Sequence, residues 1–451
     1  MKPLARHARR LAVVLLPLLA ATGCYDDDTV YDTGVPASCS VADQNVWLDG
    51  YMNDWYFWYQ YAPRPDPGAY SSVDSYFSAL LYTGTNASFP ADRWSFMQTT
   101  EAFTRLFGDG QALGYGVAVA GIEVQGNPTA PLYVRYVDPG SPAAVQGVVR
   151  GDQVISINGR AASDVIAADD YSALGAASTG ETLTLVLANG GVQRTLTLSS
   201  AVYDLAPVTG ATVVTTPQGR KMGYVLVKDM ISQVQAPLET AFAQFKAAGV
   251  SEIVLDLRYN GGGLVSVGSL VASYVAGTRG EGHTYAALLY NDKRAADYNQ
   301  RFYFASGVGS AANVPRVFVL TGPRTCSASE QVVNGLRGIG VDVVTVGDTS
   351  CGKPVGFLPV SACGTTFDVV NFESVNELDQ GRYFDGFSAT CPTSEDFTQP
   401  LGSGSDPLLA AAASYADSGA CPATSALGLK QREARTRRRV EAGQWQGMIG
   451  R

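Results

Sequence analysis

Apolar and polar positions fall into four regimes along the chain, and each predicts a different kind of element. Residues 11–21 are almost wholly apolar and follow Arg6, Arg9 and Arg10. This is the charged start and short core of an export signal, too short to cross a membrane stably. Around Trp47, Leu48 and the run Trp55-Tyr56-Phe57-Trp58-Tyr59, apolar and aromatic residues are too dense for a solvated linker. They predict a helical unit ending near Phe96, with the aromatic stripe as its core. Between Gly114 and Ser200, short apolar or alternating runs at 115–120, 132–137, 153–157 and 182–186 are separated by Gly, Pro and Asp, the pattern of a small β-rich module. From Lys221 the chain reads as buried strand (223–227), helix (238–245) and buried strand (253–257). A third strand (317–320), a helix presenting Val332, Val333, Leu336 and Ile339, and a strand at 341–346 follow. That succession predicts an α/β unit.

With 451 residues, 46% apolar and only 16% charged, the chain is a multidomain globular protein rather than a disordered or coiled-coil one. The net charge of −9 is unevenly spread. Residues 1–23 carry +4 and residues 430–439 a net +5, which leaves −18 on residues 24–429. So acidic a body argues against nucleic acid as the main partner.

The apolar run ends in Ala21-Thr22-Gly23-Cys24. This resembles the lipobox of bacterial lipoproteins, although that pattern prefers Leu where Ala21 stands, and it implies lipidation of Cys24. Plain secretory cleavage is the alternative. Setting Cys24 aside, Cys39, Cys326, Cys351, Cys363, Cys391 and Cys421 remain. An even number in an exported chain favours disulfides, and their spacing shows no metal-binding pattern, so neither a metal nor another cofactor is expected.

Three strings carry candidate chemistry. The strand at 253–257 runs into Asp256-Leu257-Arg258-Tyr259-Asn260-Gly261-Gly262-Gly263, without the third glycine of a dinucleotide fingerprint or the Gly-Lys-Ser/Thr of a phosphate loop. The next strand leads to Cys326-Ser327-Ala328-Ser329-Glu330, which also fits a helix capping box. The strand after that ends in Cys351-Gly352-Lys353-Pro354. Upstream, Gly140-Ser141-Pro142-Ala143-Ala144, Gly151-Asp152 and residues 154–159 resemble a PDZ domain. That resemblance makes Gly114, Tyr115, Gly116 and Val117 the loop that takes a peptide carboxylate, through backbone N–H groups and an edge strand.

In this order the motifs resemble the C-terminal processing, or tail-specific, serine peptidases over roughly residues 45–420. The resemblance implies a crotonase-like α/β peptidase core, with Ser327 as nucleophile and Lys353 as general base. It places the oxyanion-hole donors at Ala328 and at Gly262 or Gly263. Its substrates would be proteins with free C-termini, chosen by the PDZ module. Glu330 either orients Lys353 or only closes the capping box. The residues themselves narrow the choice of base, because histidine occurs only at His7, in the signal, and at His283, in a Gly-rich surface loop. A lysine can serve if burial lowers its pKa from about 10.4 towards neutrality. Should Ser327 and Lys353 meet, a Cys326–Cys351 disulfide could clamp them.

The expected organisation is a signal (1–23), tether (24–44), N-terminal helical domain (45–110), PDZ-like domain (111–203), catalytic domain (204–425) and basic tail (426–451). The tail reads as solvated, as attracted to anionic lipid, or as a segment the peptidase itself removes. The function expected is that of an exported hydrolase, lipid-anchored to a bacterial membrane and facing the periplasm. A catalytically silent PDZ-type peptide-binding lipoprotein is the alternative. The presence of both Ser327 and Lys353 favours the enzyme.

Overall fold

Four near-continuous apolar strands, Lys221–Val227, Glu252–Asp256, Arg316–Thr321 and Asp342–Gly347, pair in parallel in that order, as strands covered on both faces should. Val208–Thr215 adds an antiparallel edge at one side and Cys391–Pro392 a short strand at the other. The Pro407–Ser418 helix covers one face, burying Leu408 and Leu409 against Tyr224, Phe318 and Val344. This computed structural model describes residues 34–423 and 447–450. The export signal at 1–23, Cys24 and the basic cluster at 430–439 lie outside the described residues. Among the described residues, no helix is long and apolar enough to cross a membrane.

A second sheet lies beside the first in the chain's path. Its order is Gly262–Leu264, Gly447–Ile449, Val355–Phe357, Val370–Val375, Thr284–Tyr290 and Gln300–Tyr303. The Gly447–Ile449 strand corrects the reading of the whole of 426–451 as a solvated tail, because Met448 and Ile449 are fully buried. The tether at 24–44 is also too long. Ser40 caps a helix beginning at Val41, and Cys39 is bonded to Cys363. Hydroxyl capping of the free N–H groups explains why the helix starts there.

The N-terminal aromatics are core, as expected: Trp55, Tyr56 and Trp58 are buried. This unit is not helical throughout, for its Phe96–Thr99 strand pairs with Thr365–Asp368. The β-rich module is a sheet of Val117–Val119, Leu132–Val137, Gln153–Ile157, Thr182–Asn189 and Val192–Ser199, with Val117–Val119 at an edge. It is tied to the core by Arg150, which donates to the Tyr259 hydroxyl at 2.7 Å and to Glu395 at 2.9 Å. A second tie pairs Arg324 with Glu123.

Candidate active site

Each of the three strings ends a strand of the parallel sheet, where α/β folds leave a crevice at the carboxyl ends. In the first, Asp256 accepts from the Tyr224 hydroxyl and from Arg258 Nε, and Arg258 is clamped to Asp406 at 2.6 Å. This buried ion cluster fixes the strand end. Asn260 then shapes the glycine turn: its Nδ2 donates to Val227 O at 2.9 Å, and its Oδ1 accepts from the Gly262 N–H at 2.8 Å. Gly262 and Gly263 have φ of 109° and 134°, a region that side chains avoid. A Cβ on Gly263 would lie 2.2 Å from Met230 O.

Ser327 sits at the turn into the Ala328–Gly338 helix with φ 58° and ψ −115°. A non-glycine residue in this region is strained, and strain of this kind concentrates at functional sites. Ser327 is fully buried, and its Oγ has no hydrogen-bond partner among the described residues. The hydroxyl is therefore not hydrogen-bonded to Lys353 in this conformation. Apo sites often hold such pairs apart until substrate arrives.

Glu330 ties the serine string to the lysine string. Its carboxylate accepts from the backbone N–H groups of Ser327 (3.0 Å), Gly352 (2.8 Å) and Lys353 (2.8 Å), and from the Ser350 hydroxyl. Burial pushes its pKa up, and these donors pull it back. Cys326 and Cys351 form a disulfide with Cα atoms 5.1 Å apart, and the Cys351 N–H donates to Thr325 O at 2.9 Å. Closing this loop of 25 residues stabilises the fold by about 3 kcal/mol. The Cys326→Ala/Cys351→Ala variant is expected to lose stability of that order in urea denaturation under non-reducing conditions.

Lys353 is 1% exposed, with Nζ 3.8 Å from the centre of the Phe357 ring. Desolvation lowers its pKa to about 7, against the opposing pull of Asp368, Asp92 and Glu330. Asp368 is pushed up to about 7 by its own burial, while Gln98 donates to it at 2.7 Å. The N-terminal unit thus supplies the residue that holds the lysine's facing carboxylate. No motif pointed to Asp368. The available signal was one acid among the apolar residues Phe367, Val369 and Val370.

The structure brings Ser327, Ala328, Glu330, Gly262 and Lys353 into one buried region. A Cβ on Gly262 would lie 3.0 Å from Ser327 Cβ and 3.1 Å from Ala328 N. The Gly262 N–H already serves Asn260, so of the two glycines it is Gly263 whose N–H is not spent within the turn itself. The Gly114-to-Val117 loop lies apart from the site in the β-rich module, with Tyr115 and Gly116 carbonyls accepting from Ala143 and Asp138 N–H groups. His283 is half-exposed beside Glu377, in keeping with a surface histidine.

Comparison with known proteins agrees with this layout. A profile described as "Peptidase family S41" matches residues 221–363, one for the peptidase S41 N-terminal domain matches 43–96, and one for the PDZ domain matches 133–189. These profiles identify the core at 221–363 and the N-terminal unit at 43–96 with peptidase family S41. The chain is 28% identical over 233 residues to a chloroplastic C-terminal processing peptidase of Tetradesmus obliquus, covering 49% of this chain and 48% of the relative. It is 30% identical over 219 residues to the chloroplastic carboxyl-terminal-processing peptidase 3 of Arabidopsis thaliana, covering 46% and 40%. The chain therefore matches about half the length of these relatives. A solved Bacteroides fragilis structure assigned as an S41 protease aligns with a TM-score of 0.64 at 25% identity, covering 83% of this chain and 97% of that one.

Proposed function

We propose that this protein is an exported serine endopeptidase that cleaves other proteins near their C-termini through Ser327 and Lys353. The observation that carries the reading is a buried lysine whose pKa has fallen to about 7, tethered by a disulfide and one carboxylate to a strained, buried serine. Neutral Lys353 takes the proton as Ser327 Oγ attacks the peptide carbonyl, then returns it to the leaving amine. The oxyanion is met by the N–H groups of Ala328 and Gly263, aided by the start of the helix. Water then hydrolyses the acyl-enzyme. Glu330 acts through the backbone, as a positioning residue. The Gly114-to-Val117 loop and the edge strand Val117–Val119 select the substrate C-terminus by strand addition. Export and a lipid anchor at Cys24 place the enzyme on the periplasmic face of a bacterial membrane.

The test is cleavage of an unfolded protein with an apolar C-terminus by the chain from Val35 onward. Loss of cleavage in both Ser327→Ala and Lys353→Ala supports the dyad, and cleavage that survives either substitution overturns it. A pH profile adds a second check. Lys353 must be neutral to act, so kcat/KM should rise as pH passes upward through about 7. Asp368 favours the charged lysine, so Asp368→Asn should move that limb to lower pH by roughly one unit.

A further inference from the structure

The Gly447–Ile449 strand stands between the strand that leaves the glycine turn and the strand that follows Lys353. Gly262 pairs with Gly447, Gly263 with Met448 and Leu264 with Ile449, all in parallel, and Phe357 pairs with Ile449 on the other side. The Gly447 N–H donates to Gly261 O at 3.0 Å, and the Gly450 N–H donates to Phe357 O at 3.0 Å. In a parallel ladder of this register the next bond runs from the Gly263 N–H to the Gly447 carbonyl. The Cβ position of Gly262 is 2.2 Å from that carbonyl oxygen, and the same point neighbours Ser327 Cβ and the Ala328 nitrogen. The Gly447 carbonyl thus lies against the glycine turn, on the side that borders Ser327 and the Ala328 nitrogen. Met448 and Ile449 are fully buried, with Gln331 Nε2 3.3 Å from the Met448 sulfur.

We propose that Gly447–Ile449 is a built-in occupant of the substrate groove, and that the enzyme acts on other chains only when this strand leaves. The proposal rests on the peptidase reading above. Without the strand, the two flanking strands would border a gap one strand wide, about 10 Å across, which is the shape that takes an extended peptide by strand addition. The occupant also describes the ligand: a peptide with a small residue beside Ser327 followed by two apolar residues. Among the described residues Ser327 Oγ makes no hydrogen bond, as expected of a resting nucleophile.

The test compares the chain ending at Gln446, and a full chain carrying Met448→Asp and Ile449→Asp, with wild type. The probe is the labelled peptide Gly-Met-Ile-Gly-Arg. It should bind both variants at least ten-fold more tightly than wild type. Both variants should also cleave an unfolded protein at least five-fold faster, and the unlabelled peptide should suppress the gain. Equal binding to all three, or no binding to variants that melt cooperatively, overturns the proposal, as does a measurable wild-type cleavage rate that both variants leave unchanged. If neither variant folds, the strand is a structural member of the sheet and the proposal is wrong. Binding confined to the variants with no cleavage by any version would sink the peptidase reading and leave the docking intact.

Discussion

Replacing Lys353 with methionine is expected to lower kcat/KM by roughly 10²- to 10⁴-fold while making the protein more stable. The two effects share one cause. Desolvation holds the folded-state pKa near 7, below the ordinary lysine value, so the unfolded chain binds the proton more tightly. The resulting destabilisation is fully present below about pH 7 and fades as pH rises towards about 10.4, where the unfolded lysine also loses its proton. At pH 6 the wild type therefore carries the full cost. Methionine keeps the volume over Phe357 and removes the ammonium. Asp368, itself pushed up to about 7, is largely protonated at that pH and needs no cation. A higher melting temperature at pH 6 together with lost cleavage would identify a residue kept for chemistry at the expense of stability. A lower melting temperature would mean that the charge is structural.

Glu330→Gln should damage both fold and activity, by about 2 to 4 kcal/mol and on the order of 100-fold in kcat. Among the described residues, the groups that donate to this carboxylate are three backbone N–H groups and the Ser350 hydroxyl. A glutamine must turn its NH₂ towards some of them, leaving buried donors facing donors. Because the affected N–H groups belong to Ser327, Gly352 and Lys353, the error falls on the distance between nucleophile and base. At a temperature where the variant remains folded, kcat should fall with KM little changed. A variant that loses stability but retains kcat would reduce Glu330 to a capping residue.

The parts legible in the sequence are those written by local pattern. Continuous apolar runs announced the parallel strands, the glycine string announced a turn that tolerates no Cβ, and two cysteines flanking Ser327 and Lys353 suggested their disulfide. Less legible were features made by distant pairing. Capping-box spacing accounts for Glu330 and Ser327, yet the bonds to Gly352 and Lys353 exist only after the next strand has docked. Asp368 reaches importance through Gln98, 270 residues away in sequence. The strand at 447–449 has three residues, too few to show a period, and its partner lies near Gly262. A basic cluster just before it pointed to solvent instead.

The most direct measurement is mass spectrometry of the protein after exposure to a serine-directed phosphonate, followed by peptide mapping across a pH series. One adduct, on Ser327, should form, at a rate that rises through about pH 7 and collapses in Lys353→Met. An adduct on another residue, or labelling of Ser327 that ignores both pH and Lys353, would contradict a serine activated by a buried neutral lysine.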